Sequence, residues 1–164
     1  MTAANPMAIA EKAMAQIQKG AFLTVAAEGR VNTMTIGWAT MGYCWRKPAF
    51  MVAVRDSRYT FTLIEKAKDY TVSVPATHMK KEIMFCGTKS GRDVDKFAAL
   101  GLSAVSARKV GSPVLDIPGV HLECRIIVKT AMDPRLMAGD LETLYPEQDY
   151  HTLYFGEILA CYET

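Results

Sequence analysis

Residues 21–40 read AFLTVAAEGRVNTMTIGWAT, two strand-like runs parted only by Gly29 and Arg30. A strand that returns after so short a break pairs antiparallel with its predecessor, because a parallel return needs a crossover of about a dozen residues or more. This hairpin constrains the fold more than any other feature. In its second arm Asn32, Met34, Ile36 and Trp38 share one face, while Val31, Thr33, Thr35 and Gly37 share the other. Two threonines and a glycine make a poor core face.

The same signal recurs downstream. After the turn-like YCWRKP, AFMVAVR (49–55) is apolar on both faces, as a central strand is. DYTVSVP (69–75) alternates through Tyr70, Val72 and Val74. From residue 120, Val120, Leu122, Cys124, Ile126 and Val128 oppose His121, Glu123, Arg125 and Lys129. HTLYFGEILACY (151–162) follows a turn-rich excursion through Asp133-Pro134 and Tyr145-Pro146. At least six such runs, mostly in neighbouring hairpins, predict a mainly β protein, an antiparallel barrel with peripheral helices. Asn5-Pro6 reads as a helix start, with Ile9, Ala13 and Ile17 on one face and Gly20 as the stop, so residues 1–19 are expected to pack a helix on the barrel. DSRYTFTLIEKAK (56–68) reads as a second helix, capped by Asp56 or Ser57, with Phe61, Ile64 and Ala67 turned inward. No linker divides residues 1–164, which are read as one domain.

Several reaction classes lack their residues. There is no G-x-S-x-G elbow, and Gly87 to Gly91 has phosphate-loop spacing without the Gly-Lys-Ser/Thr ending. His78, His121 and His151 are too dispersed for a metal set. A net charge of +2 with scattered Lys and Arg gives no nucleic-acid footprint. No apolar run approaches the roughly 20 residues that span a bilayer, and the first residues lack a basic signal-peptide start. Cys44, Cys86, Cys124 and Cys161 lie far apart, as free thiols in a reducing compartment do, so a cytoplasmic protein is expected, with Cys44 a buried inert thiol.

Three stretches offer anion or ring capture. FCGTKSGRDVDKF (85–97) places hydroxyls and charges between two phenylalanines, with Gly87 and Gly91 allowing close backbone approach. It reads either as a loop feeding a helix capped by Asp93 and ended at Gly101, or as a grip in which Ser90, Arg92 and Lys96 hold an anion. Ser57, Arg58, Tyr59 and Thr60 gather hydroxyls, a guanidinium and free N–H groups at a helix start, a good place for a phosphate. On the strand 31–39, Thr33 and Thr35 are expected to hydrogen-bond a flat heterocycle while Met34 and Trp38 pack into the barrel. A phosphate beside a heteroaromatic ring describes a mononucleotide cofactor.

The run from Asn32 to Pro75, followed by FCGTKSGRDVDKF, resembles the flavin reductase-like, FMN-binding split-barrel family, most closely its flavoredoxin branch. The resemblance runs from about Gly20 to the end. It implies an antiparallel split barrel, a homodimer and noncovalent FMN. It also implies that Thr33, Met34 and Thr35 line the isoalloxazine, that Ser57, Arg58, Tyr59 and Thr60 hold the phosphate, and that Cys86, Gly87, Ser90, Arg92 and Lys96 close over the cofactor. Family reductases that feed monooxygenases carry Gly-Asp-His before the last strand. Here the stretch is Asp149-Tyr150-His151, which keeps the histidine as a nicotinamide contact, or as a turn cap, and loses the Gly-Asp. The expected function is a flavoprotein oxidoreductase passing electrons through FMN, from NAD(P)H or from a redox partner protein. The alternative is a redox-silent FMN-binding or storage module. A related split barrel for pyridoxal phosphate or haem is a third reading, with His121 the candidate haem ligand.

Overall fold

The first hairpin forms as its spacing dictates. Strands β1 (Ala21–Ala27) and β2 (Arg30–Ile36) pair antiparallel with Ala27 opposite Arg30. Glu28 and Gly29 both take positive φ, 51° and 73°, which matches the right-handed strand twist. The turn therefore sits one residue earlier than the Gly29-Arg30 break. A second tight hairpin joins β3 (Ala39–Cys44) to β4 (Lys47–Arg55) through Trp45 and Arg46, again with positive φ.

The computed structural model describes residues 9–164, apart from the side chains of 10–12. The seven-stranded antiparallel sheet runs β2-β1-β5-β8-β9-β4-β3, with β5 Asp69–Pro75, β8 Gly119–Ala131 and β9 His151–Glu163. This is the mainly β split barrel expected from the strand pattern. A short pair, β6 (Ala104–Val105) with β7 (Val114–Leu115), sits outside it. The core is where the alternation points: Leu23, Phe50, Val52, Tyr70, Val72, Leu122 and Tyr154 are fully buried. The Tyr70 hydroxyl donates to the Phe50 carbonyl at 2.7 Å. A Cβ on Gly156 would lie 2.7 Å from that same hydroxyl, so β9 needs glycine there.

Among the described residues four α-helices flank the barrel. In α1 (Ala10–Ile17), Ala13 and Ile17 are buried as predicted; the Asn5-Pro6 start lies outside the described residues. Helix α2 (Tyr59–Ile64) buries Thr60, Leu63 and Ile64. Neither Asp56 nor Ser57 caps it; Arg58 holds the cap position without a side-chain bond. The Asp56 carboxylate accepts from Thr152 and the Ser57 hydroxyl donates to Asp149. Helix α3 (Lys80–Thr88) contains Cys86, Gly87 and Thr88, so the first part of the 85–97 stretch is a helix end and not a loop. Helix α4 (Lys96–Leu100) is capped by Asp95, whose carboxylate accepts from Phe97 N at 2.9 Å and Ala98 N at 3.1 Å, where Asp93 was expected. Gly101 ends it at φ 63°.

Helix α3 matters most for the site because it covers the outer face of β1 and β2. Phe22 packs there with Cys86, Leu115 and Ile117 in a second apolar cluster. On that face, too polar for a core, Thr33 is buried and Thr35 half-buried, while Val31 and Gly37 stay exposed. The Thr35 hydroxyl donates to the Ile83 carbonyl at 2.5 Å, and a Cβ on Gly87 would stand 3.3 Å from Thr35 Cβ. Behind it, two carboxylates fasten the segment before β7: Glu123 accepts from the Arg108 and Lys109 amides, and Asp69 from Gly111 and Ser112.

Candidate functional site

The core-facing row of β2 is apolar except for one residue. Asn32 is buried, and its Nδ2 donates to the Thr60 hydroxyl of α2 at 2.8 Å. This pair forms the floor of a cavity of about 110 Å³ between β2, the start of α2, the end of α3 and the turn before α4. Met34, Ser57, Arg58, Tyr59, Thr60, Cys86, Gly87, Ser90, Arg92 and Lys96, all expected at a cofactor site, line it together with Asn32.

Lysine 96 is the least usual of them. Only 3 % exposed, its ammonium donates to the Thr33 carbonyl and to the Cys86 carbonyl, each at 2.9 Å. It thereby ties strand β2 to helix α3. Burial lowers its pKa from the ordinary lysine value, opposed by the nearby Cys86 thiol and reinforced by Arg58. The two arginines close the rim by crossing over. Arg58 donates to the Gly87 carbonyl at 3.2 Å, and Arg92 donates to the Ser57 carbonyl at 3.1 Å while lying 5.6 Å over the Tyr59 ring. The Ser90 hydroxyl accepts from the Arg92 amide at 3.1 Å. Gly91 has no room for a side chain: its Cβ would collide with the Asn32 amide and stand 2.6 Å from the Tyr59 ring.

Arg58, Lys89, Arg92 and Lys96 all line this cup, and among the described residues no carboxylate does. Uncompensated cations around a small cavity attract an anion. With six residues, α2 is too short for its dipole to supply the attraction, so the side chains do. Burial raises the Cys86 thiol pKa, with Lys96 opposing.

A second cavity, about 160 Å³, continues along β2 and shares Met34 and Arg58 with the cup. Thr35, Gly37, Trp38, Ala53 and His151 complete much of its wall. Its wall is mixed, with the Trp38 ring and the His151 imidazole beside the guanidinium groups of Arg55 and Arg58. The Trp38 ring lies 4.9 Å from the His151 imidazole, and the Tyr145 hydroxyl is 2.8 Å from His151 Nδ1. Burial, then the charge of Arg55, pushes the His151 pKa down to about 4, so the ring is uncharged at neutral pH. Arg55 itself donates to the Asp149 and Leu144 carbonyls.

Several expectations are corrected. The Thr33 hydroxyl is fully buried, donates to the Leu23 carbonyl and accepts from Thr24, so Thr33 meets the site only through the carbonyl held by Lys96. Thr35 borders the ring-side cavity with its hydroxyl already committed to Ile83. The Ser57 hydroxyl faces Asp149 at 2.6 Å. Trp38 is 44 % exposed at the cavity mouth and not inside the barrel. Cys44 is exposed beside the tip of the β3–β4 hairpin, where a buried thiol was expected. His121 is buried between Ser73 Oγ and the Ile117 carbonyl, each 3.0 Å from a ring nitrogen, which removes it as a haem ligand. Asn32 was not anticipated. The signal for it was a single amide in an apolar row, since a buried polar group needs a partner.

The profile of the flavin reductase like domain matches residues 14–164. The chain belongs to that family. A protein of Archaeoglobus fulgidus is 30% identical over 138 residues, 84% of this chain and 68% of its own. Among solved structures, flavoredoxin of Desulfovibrio vulgaris (Miyazaki F) superposes with a TM-score of 0.70 at 24% identity, covering 88% of this chain and 69% of that one. An FMN-binding protein from Thermus thermophilus with bound 1-cyclohex-2-enone superposes at 0.67 with 26% identity, covering 88% and 69%. Among the described residues no helix is long and apolar enough to cross a membrane.

Proposed function

We propose that this flavin reductase-like chain binds FMN and passes electrons through it as an oxidoreductase of the flavin reductase and flavoredoxin type. The observation that carries this reading is the cup with four cations and no carboxylate among the described residues, continuing along one strand into a second cavity walled by Trp38 and His151 with Arg55 and Arg58. A phosphate monoester suits the first and a flavin ring the second. Thr60, Arg58, Arg92 and Lys96 hold the phosphate, Gly87 and Gly91 let the backbone close on it, and Met34 and Thr35 face the ring. The Thermus relative, named as FMN-binding, supports the choice of cofactor.

When bound, FMN supplies hydride or single-electron acceptance, and the chain supplies position and electrostatics. The ring-side lining holds His151, Arg55 and Arg58 and, among the described residues, no carboxylate. His151 presents an uncharged imidazole there, suited to a nicotinamide ring and not to its phosphates. The donor in this reading is NAD(P)H or a redox partner protein; the chain acts as one domain, as a homodimer, in the cytoplasm.

The deciding experiment is the visible spectrum of the purified protein with FMN under anaerobic conditions, before and after NADH and then NADPH. A bound-flavin band that bleaches makes the chain a reductase. A band that forms and stays makes it a carrier awaiting a protein donor, or a redox-silent binding module. Absence of a bound-flavin band overturns the reading.

A further inference from the structure

We infer that Asn32 is the residue that makes this site select a phosphate monoester, by fixing the direction of the Thr60 hydroxyl. The inference rests on the flavin reading above and adds a positioning residue to it. Thr60 is 1 % exposed, and its oxygen accepts the Asn32 Nδ2–H at 2.8 Å. Among the described residues nothing accepts the hydroxyl's own proton. A hydroxyl that accepts on one side keeps its proton for the other. Both residues line the cationic cup, so that proton faces the anion site. A buried donor without an acceptor is costly in an empty protein and useful in one that takes up an anion.

The rest of the amide is equally constrained. Gly91 crosses directly over Asn32, where a Cβ would collide with the Asn32 side-chain oxygen. Strand β2 is held from the other edge by Lys96 at the Thr33 carbonyl, the next residue along. Asn32 therefore sits between two clamps that fix the height of its Nδ2 under Thr60. Aspartate has the same shape but no N–H; at this position it would accept the Thr60 proton and turn the hydroxyl away from the cup. Leucine fills the volume and directs nothing.

The test compares FMN with riboflavin, which carries the same ring and no phosphate, by equilibrium titration of the wild type, Asn32→Leu, Thr60→Val and the double variant. Wild type should prefer FMN strongly. Asn32→Leu should reduce the FMN-over-riboflavin preference by roughly tenfold, as loss of one hydrogen bond to a charged group does, with riboflavin affinity unchanged within about twofold. In the Thr60→Val background the leucine should cost no further preference, because it acts only through the hydroxyl. The double variant removes both partners of a buried hydrogen bond and should fold at least as well as either single one. A wild type that binds both flavins equally overturns the phosphate reading itself, and this inference with it. A wild type that prefers FMN while Asn32→Leu keeps the preference, or while the two losses add, overturns only the role of Asn32. In the unmodified protein, FMN but not riboflavin should shift the Asn32 side-chain amide resonances; equal shifts from both would likewise overturn it.

Discussion

The two ends of the β2 groove differ in how much positive charge they gather. At Asn32 four cations converge without a carboxylate among the described residues, and one of them, Lys96, is almost wholly buried. A few residues on, at Trp38, the wall carries Arg55 and the shared Arg58, while its titratable ring is held neutral. Positive charge is denser where a phosphate would sit than where a ring would lie. In the proposed reading, preference for a phosphorylated flavin resides at the first end and contact with the ring at the second.

The largest test strips the charged end. Thr60→Ala combined with Lys96→Ala should weaken FMN binding by at least about 3 kcal/mol, since two contacts to a charged group are lost. Riboflavin should lose far less. Equal losses for the two flavins in a titration would break the contrast, because the cations would then serve the fold and not the phosphate. The variant should also melt earlier, as the Thr33 and Cys86 carbonyls lose the donor they share.

The ring-side end is tested by acid. The His151 pKa is about 4 in the folded chain and near 6.5 when unfolded, so between those values the unfolded state binds more protons. Stability is complete above pH 6.5 and falls as pH drops toward 4, by on the order of 2 to 3 kcal/mol for this group. His121, also lowered by burial, contributes with the same sign. Denaturant titrations at pH 7 and pH 4.5 should show a smaller acid loss in His151→Gln than in wild type. Identical losses would mean that His151 is not held neutral. A smaller effect is expected from Gly91→Ala, which pushes on Asn32 and Tyr59; overpacking of this kind costs about 1 to 2 kcal/mol, and FMN affinity should fall with it.

How far the sequence disclosed this arrangement depends on the length scale of the signal. Period-two alternation extends over whole strands, so the mainly β barrel was legible, whereas the pairings of β1 with β5, β5 with β8 and β4 with β9 were not. Most cup residues were legible too, because hydroxyls and cations between glycines are conspicuous in a half-apolar chain. What failed was decided by packing from distant segments. Thr35 turns its hydroxyl into protein because α3, some 50 residues later, offers the Ile83 carbonyl, and Thr33 bonds Leu23 and Thr24 of the paired strand β1. Trp38 lies outside because β2 ends at Ile36, so the alternation does not extend to it. Asp93 and Asp95 are equivalent caps by composition, and only the start of α4 at Lys96 selects the second.

The smallest expected effect sharpens the comparison most. Trp38→Leu removes a half-exposed ring that rests on His151 and borders only the ring-side cavity. Loss of one aromatic contact should weaken FMN and riboflavin alike, by about 1 kcal/mol each. Their ratio should stay within about twofold of wild type, because nothing at the cationic end is disturbed and Met34 and Arg58 alone span both cavities. A changed ratio would show that the two ends are coupled through those residues, and the groove would then read charge and ring as one feature. An unchanged ratio with both affinities reduced would place ring recognition at Trp38 and phosphate recognition at Asn32, Thr60 and Lys96, as separable parts of one strand's neighbourhood.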